Sequence, residues 1–238
     1  MKKIAFLAGT SGLIGMQLLH QLLQDSSYDY LISVGRRKLA LKHNKLVQVE
    51  GDFSKIQSWD IESKLREEDL GGVFFPLVDA INKKTCEMHA FCSLGTTIKV
   101  AGSKDKFYEI DHDYVIGFAS WTHTLGVNKF LYVSAMGANP QSSVFYNKVK
   151  GETEEDLKVI PFDYLGLFQP SLLVGNRKEF RFGEEVAKIL TKPLVWLKLG
   201  KSFRPINDNQ VAKAMIHHAN QTKPVKVEII SSKKMQDF

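Results

Sequence analysis

The feature that most constrains this chain is a glycine triplet near its start, Gly9-Thr10-Ser11-Gly12-Leu13-Ile14-Gly15, set between two stretches of different hydrophobic period. Before it, Lys3–Ala8 is a short apolar run, the pattern of a parallel strand covered on both faces. After it, Ile14, Leu18, Leu19, Leu22 and Leu23 recur at helical spacing, with Gln17, Gln21 and Gln24 between them. Strand, glycine turn and amphipathic helix open a βαβ unit, the context in which GxxGxxG spacing has a physical meaning. The first glycine makes the tight turn, the middle one lets backbone approach a pyrophosphate, and the last lets helix and strand pack closely. The helix start then turns free N–H groups and the positive end of its dipole toward the phosphates. Gly9, Ser11, Gly12, Leu13, Ile14 and Gly15 are therefore the candidate diphosphate residues. The plain alternative is an ordinary glycine-rich turn.

The rest of the chain continues the alternation. Strands are expected at Tyr30–Val34, Lys45–Val49, His89–Cys92, Lys129–Ser134, Phe162–Phe168 and Val225–Ile230. Helices are expected near Ser58–Glu67 and Leu77–Lys84, and at Asp111–Leu125, Tyr146–Val159, Phe182–Leu199 and Asn207–Asn220. This order predicts an α/β fold, a Rossmann-type doubly wound parallel sheet with helices on both faces. One domain spans residues 1–238, and its segment 171–238 is expected to cover a substrate cleft.

Composition narrows the class. A chain of 238 residues, 44% of them hydrophobic, can bury a core without disulfides or a structural metal. Cys86 and Cys92 lack the spacing of a zinc pair and read as reduced thiols. The net charge is +6, but the lysines are scattered in isolated pairs, which argues against a nucleic-acid partner and leaves some charge for an anionic cofactor or substrate. No stretch reaches the about 18 uninterrupted apolar residues of a membrane span. Met1-Lys2-Lys3 before an apolar run imitates a secretory leader, yet a first strand accounts for the glycines and the helix as well. A cytoplasmic location is expected.

The end of the second strand discriminates between nicotinamide cofactors. NAD binders place an acid there to hold the ribose 2′-OH. Here Val34-Gly35-Arg36-Arg37 offers no acid and two guanidinium groups, which suit a 2′-phosphate. NADP is the expected cofactor. Asp52 reads either as a partner of the adenine amino group or as a simple turn former after Gly51. Leu94, Gly95 and Thr96 follow the fourth strand at its carboxyl end, where ligands of such sheets sit.

Tyr146 and Lys150 stand at i and i+4 on one helix and share a face. A neighbouring ammonium favours a phenolate, so such a tyrosine can exchange a proton with a carbonyl or alcohol oxygen near neutral pH. The lysine can also reach ribose hydroxyls. Ser134 ends the preceding strand twelve residues before Tyr146. Its hydroxyl either points into the same cleft, polarising a substrate oxygen, or bonds its own turn.

These residues carry a resemblance. Gly9–Gly15, Leu94–Thr97, Ser134, Tyr146–Lys150 and the PSLL run at Pro170–Leu173 look like the short-chain dehydrogenase/reductase superfamily. CSLGTT at Cys92–Thr97, KFYEIDHDYV at Lys106–Val115, YNKVKGETE at Tyr146–Glu154 and FRPI at Phe203–Ile206 are similar to its atypical, Tat-interacting-protein-like reductases. The resemblance implies an NADPH-binding protein with Tyr146 as proton donor and Lys150 as its partner. It also implies that Leu173 and Arg181, after the sixth strand, touch the nicotinamide end. Two departures stand out. Gln169-Pro170-Ser171 replaces that family's usual Arg-Pro-Gly, and the stretch around Gly71–Thr85 is longer.

Other polar and aromatic residues read as structural. His217 and His218 lack an acid partner at a readable spacing, and His112 and His123 are too far apart to ligate together. Trp121, Trp196 and Phe203 are assigned to packing, Asp111 and Asp113 to the favourable start of a helix. The function that follows is hydride transfer between NADPH and a carbonyl or alcohol. The rival readings are an NADPH-dependent regulatory module and a nucleotide-sugar epimerase, the latter disfavoured by the short segment after Pro170. A homo-oligomer or a protein partner is left open.

Overall fold

The computed structural model describes residues 3–68, 70–174, 204–221 and 225–238. Its centre is a parallel sheet of seven strands among those residues: β1 (Lys3–Ala8), β2 (Tyr30–Gly35), β3 (Leu46–Glu50), β4 (Glu87–Cys92), β5 (Lys129–Val133), β6 (Tyr164–Gln169) and, at one edge, Val227–Ser231. The spatial order runs β3, β2, β1, β4, β5, β6 and then the Val227–Ser231 strand. All six pairings are parallel. The order reverses between β1 and β4, which creates the switch point of a doubly wound sheet.

Two hydrophobic layers explain the near-continuous apolar strands. Side chains of a strand alternate between faces. Ile4, Phe6 and Ala8 of β1 enter one core with Phe118 and Trp121, while Ala5 and Leu7 enter the other with Leu18, Leu22 and Met215. The second layer is built by α1 (Leu13–Gln24) and, later in the chain, Asp208–Asn220, which pack on each other and on the sheet. Trp121 packs as expected. It is buried against Phe6 and the Trp59 ring, and its indole N–H donates to the Trp59 carbonyl at 3.0 Å. A buried indole with its N–H partnered adds area without an orphaned donor.

Local structure departs from the sequence reading in three places. The expected helix Ser58–Glu67 splits into a 3₁₀ turn, Phe53–Ser58, and α2 (Ile61–Arg66), because the Asp60 carboxylate caps Ser63 N–H and restarts the chain there. The second lies in the same region, where α3 runs Phe74–Asn82. Between β4 and β5 two short helices, α4 (Ile98–Ala101) and α5 (Lys104–Tyr108), precede a π-helical turn, Glu109–Asp113, that runs into α6 (Tyr114–Thr124). The sequence reading had one uninterrupted helix from Asp111. Past β5 come α7 (Phe145–Val159), β6 and a two-stranded parallel ladder of β7 (Leu173–Val174) with β8 (Ile206–Asn207). The edge strand of the large sheet is β9 (Val227–Ser231), and the helix Asp208–Asn220 is α8, opened by an Asn207–Gln210 capping box. The helix expected at Phe182–Leu199 lies outside the described residues. Among the described residues no helix is long and apolar enough to cross a membrane.

Candidate functional site

A cleft of about 630 Å³ opens where β1, β2 and β4 end, at the switch point. Its floor is the turn Gly9–Gly12. One wall is Val34–Arg37 from the end of β2, the other Ser93–Thr96 from the end of β4, and Phe53, Ile110 and Tyr114 close it. Of the residues expected to hold a cofactor, Gly9, Ser11, Gly12, Arg36, Arg37, Leu94, Gly95 and Thr96 all line this one cavity.

The turn is built on two glycines whose space is already taken. Gly9 has φ +87°, a left-handed conformation, and a Cβ there would lie 2.6 Å from the Ser93 carbonyl carbon. At Gly15 a Cβ would lie 2.1 Å from the Gly9 carbonyl oxygen, so helix α1 meets the turn only without a side chain. Gly12 N–H donates to Gly9 O at 2.9 Å and closes the turn. Gly12 is also the N-cap of α1, with no side-chain cap and no acid in the first helical turn. The N–H groups of a first helical turn have no partner within the helix. Leu13, Ile14 and Gly15 thus offer backbone N–H groups and the positive dipole end, whereas the Ile14 side chain is buried in the core. An anion at the mouth of this turn would complete what the helix leaves open.

Arg36 and Arg37 are exposed, and no ion pair to either exists among the described residues. Asp52 behaves differently from the adenine role considered for it. Its carboxylate accepts the Ser54 N–H at 3.0 Å and caps the 3₁₀ turn, which holds its pKa below the ordinary value. It does not line the cleft; Phe53 does, its ring 5.7 Å from that of Tyr114. Those aromatics were not read from the sequence, because their convergence depends on the 3₁₀ turn and on α6.

The helix carrying Tyr146 and Lys150 is anchored by a residue that sequence reasoning misassigned. Asp111, read as a carboxylate at the favourable start of a helix, is fully buried on the π-helical turn. It pairs with the Lys150 ammonium at 2.9 Å and accepts the Thr96 N–H at 2.7 Å. Lys150 also donates to the Tyr132 hydroxyl at 2.9 Å. Burial works against the ammonium, but Asp111 and the phenols of Tyr132 and Tyr146 outweigh it and hold Lys150 protonated well above its usual range. A π-helical turn re-aims side chains that an α-helix would leave on its outer face, and such turns recur at functional sites. The signal in the sequence was weak: an acid in a helix start looks the same whether it faces water or a buried lysine. Tyr146 is half-buried, its ring 5.8 Å from that of Phe107. Gly95 passes directly over the pair, since a Cβ on it would lie 3.5 Å from the Lys150 ammonium.

Ser134 is a correction. It sits just beyond β5 as expected, but it is buried, and its hydroxyl donates to the Glu154 carboxylate of α7. The proton expected to point into the cleft is engaged by an acid two turns beyond Tyr146. Gln169 Nε2 donates to the same carboxylate at 2.9 and 3.1 Å. Leu173 lies on β7 and packs into the second core. Arg181 lies outside the described residues.

Comparison with known proteins places this geometry. No family model matches the chain. The rat protein HTATIP2 is 32% identical over 189 residues, 78% of this chain and 69% of its own length. Protein FMP52-1, mitochondrial, of Scheffersomyces stipitis is 33% identical over 175 residues, covering 73% of this chain and 69% of its own. Among solved structures, a short-chain dehydrogenase/reductase family oxidoreductase from Burkholderia thailandensis has a TM-score of 0.64 over 99% of this chain and 93% of its own, at 12% identity. The UDP-glucose 4-epimerase of Thermotoga maritima has a TM-score of 0.63 at 14% identity, over 97% of this chain and 77% of its own. At such identities the likeness is one of fold. The expected cytoplasmic location is overturned by the relatives, since FMP52 proteins of several yeasts are named mitochondrial. With the glycine turn, the tyrosine–lysine helix and these relatives together, the chain belongs to the short-chain dehydrogenase/reductase superfamily, in the atypical branch of HTATIP2 and FMP52.

Proposed function

We propose that the chain is an NADP-dependent oxidoreductase acting on a carbonyl or alcohol. The observation that carries this reading is the continuity of one cleft from the uncapped start of α1 to Arg36 and Arg37. The first suits a diphosphate, and the two guanidinium groups, without an ion pair among the described residues, suit the additional phosphate that separates NADP from NAD. Bound there, the nicotinamide supplies hydride to a carbonyl carbon or takes it from an alcohol. The chain's own residues handle the oxygen. Tyr146 gives or takes its proton, and the Lys150 charge, held by Asp111, favours the phenolate. An ammonium has three N–H donors; Tyr132 takes one by hydrogen bond and Asp111 supplies the counter-charge, which leaves donor capacity for a ribose hydroxyl. Leu173 and Arg181 belong to the nicotinamide end in this reading, and the segment after Pro170 covers the substrate.

Calorimetry with NADPH and NADH, followed by NADPH consumption across a carbonyl panel, tests the proposal. NADPH should bind more tightly, and Tyr146→Phe should lose most of the rate. Equal rates in the two proteins reject the tyrosine role, and no heat with either dinucleotide rejects the site. A second reading is an NADPH-dependent binding module with little turnover, favoured by the engagement of the Ser134 hydroxyl with Glu154. Tight NADPH binding without any reduced substrate would select it. The names of the FMP52 relatives support a mitochondrial location, which cell fractionation decides.

A further inference from the structure

Where β5 and β6 end beside α7 lies a polar cluster that hydride transfer does not by itself require. Glu154 and Ser134 are each only 4% exposed. Among the described residues, the groups facing the Glu154 carboxylate from other elements are neutral: the Ser134 hydroxyl after β5 and the Gln169 amide on β6. The charges that bear on it come from its own helix, Lys158 and Glu155, and these pair with each other at 2.7 Å. Lys150, one turn earlier, is paired with Asp111. Among the described residues Glu154 is thus a buried acid that no cation neutralises directly, at the position where this chain has Gln169 in place of arginine.

A serine hydroxyl has one proton, and an ionised carboxylate can only accept. While Glu154 is charged, Ser134 gives that proton to it and presents only lone pairs elsewhere. Once Glu154 is protonated, its own O–H can donate to Ser134 Oγ, and the serine proton is released toward another acceptor. We propose that Glu154 is a positioning residue whose protonation state sets the direction of the Ser134 hydrogen bond, and so whether Ser134 can donate to a substrate's carbonyl oxygen. This rests on the reading of the cleft as a carbonyl-reducing site. No bond in the substrate is made or broken by Glu154; its proton comes from solvent and stays on the Glu154–Ser134 pair. Burial raises the pKa of Glu154, opposed by the hydrogen bonds from Ser134 and Gln169, which brings the switch closer to physiological pH.

Two readouts test this. In the first, infrared titration follows the Glu154 carboxyl band, assigned by subtraction of Glu154→Gln. The midpoint should lie above the ordinary glutamate value of about 4.3. Gln169→Arg, which puts a cation beside the carboxylate, should lower it by about 1–3 pH units. A wild-type midpoint at or below the ordinary value overturns the proposal. In the second, kcat/KM for carbonyl reduction is measured against pH. Wild type should lose about tenfold per pH unit above the Glu154 midpoint. Glu154→Gln, whose amide donates to Ser134 at every pH, should lack that limb, and Gln169→Arg should move it to lower pH. A limb unchanged in both variants overturns the proposal even if the infrared midpoint is raised. If no carbonyl is reduced at all, the reductase reading fails, while the infrared titration still decides the state of Glu154.

Discussion

Replacing Asp111 by asparagine isolates the buried charge on which the tyrosine–lysine helix rests. Asp111 and Lys150 have side chains 1% and 4% exposed, 2.9 Å apart. At an effective dielectric constant near 20, their attraction is about 6 kcal/mol, and the penalty for desolvating each ion is several kcal/mol, so the intact pair is close to neutral for stability. The asparagine side chain keeps an acceptor for the Thr96 N–H but leaves the ammonium without its counter-charge. Removing one partner of a buried pair costs about 3–5 kcal/mol. The ammonium can escape by losing its proton, which at pH 7 costs about 4.6 kcal/mol from an ordinary lysine value, and this caps the loss in the same range. For a chain of this size, the melting temperature should drop by about 6–20 °C at pH 7. The sign of the pH dependence is diagnostic. In Asp111→Asn the folded Lys150 pKa falls below its unfolded value, so the unfolded chain binds more protons and stability rises with pH. The gap to wild type should therefore narrow between pH 7 and 9. Thermal melting followed by tryptophan fluorescence over that range is the assay. A variant within 2 °C of wild type at pH 7 (a shift of under about 1 kcal/mol), or a gap that does not change with pH, refutes the buried-charge account.

Three further outcomes follow from the same structure. The double variant Arg36→Ala/Arg37→Ala should weaken NADPH by about ten- to a hundredfold and leave NADH nearly unchanged in calorimetry, since only the former loses charge-assisted bonds; equal losses for both dinucleotides would contradict a 2′-phosphate role. Gly15→Ala forces a Cβ to within 2.1 Å of Gly9 O and must push the turn away from α1. Overpacking of about 1–3 kcal/mol should lower the melting temperature by about 2–12 °C and weaken both dinucleotides together. At the opposite end of the sheet, the hydrogen bond from His89 holds the Glu87 carboxyl far below its usual range, despite partial burial. A depressed acid stabilises above its unfolded pKa and loses that contribution as pH falls through the folded one, so Glu87→Gln should be less stable than wild type at pH 7, with a gap that starts to shrink only below about pH 4 and closes far into acid.

Much of the fold was legible because its signals are local. Lys3–Ala8 and Leu13–Gln24 carry their own periods, and the glycines between them encode a turn that needs no distant partner. The alternation of strand and helix then left few topologies to consider. The elements between Ile56 and Glu87 were harder, because caps such as Asp60 act on single residues and divide a helical pattern that composition alone runs together.

The sequence by itself determined the sheet, the place of the glycine turn, the arginine pair at the end of β2 and the shared face of Tyr146 and Lys150. Tertiary structure decided which polar groups are engaged. Asp111 reaches Lys150 only because a π-helical turn faces α7, across 39 residues of chain, and Ser134 meets Glu154 only because β5 ends beside that helix. A side chain's period records which face of an element it occupies. Its partner is set by what packs on that face, and no local pattern contains that information.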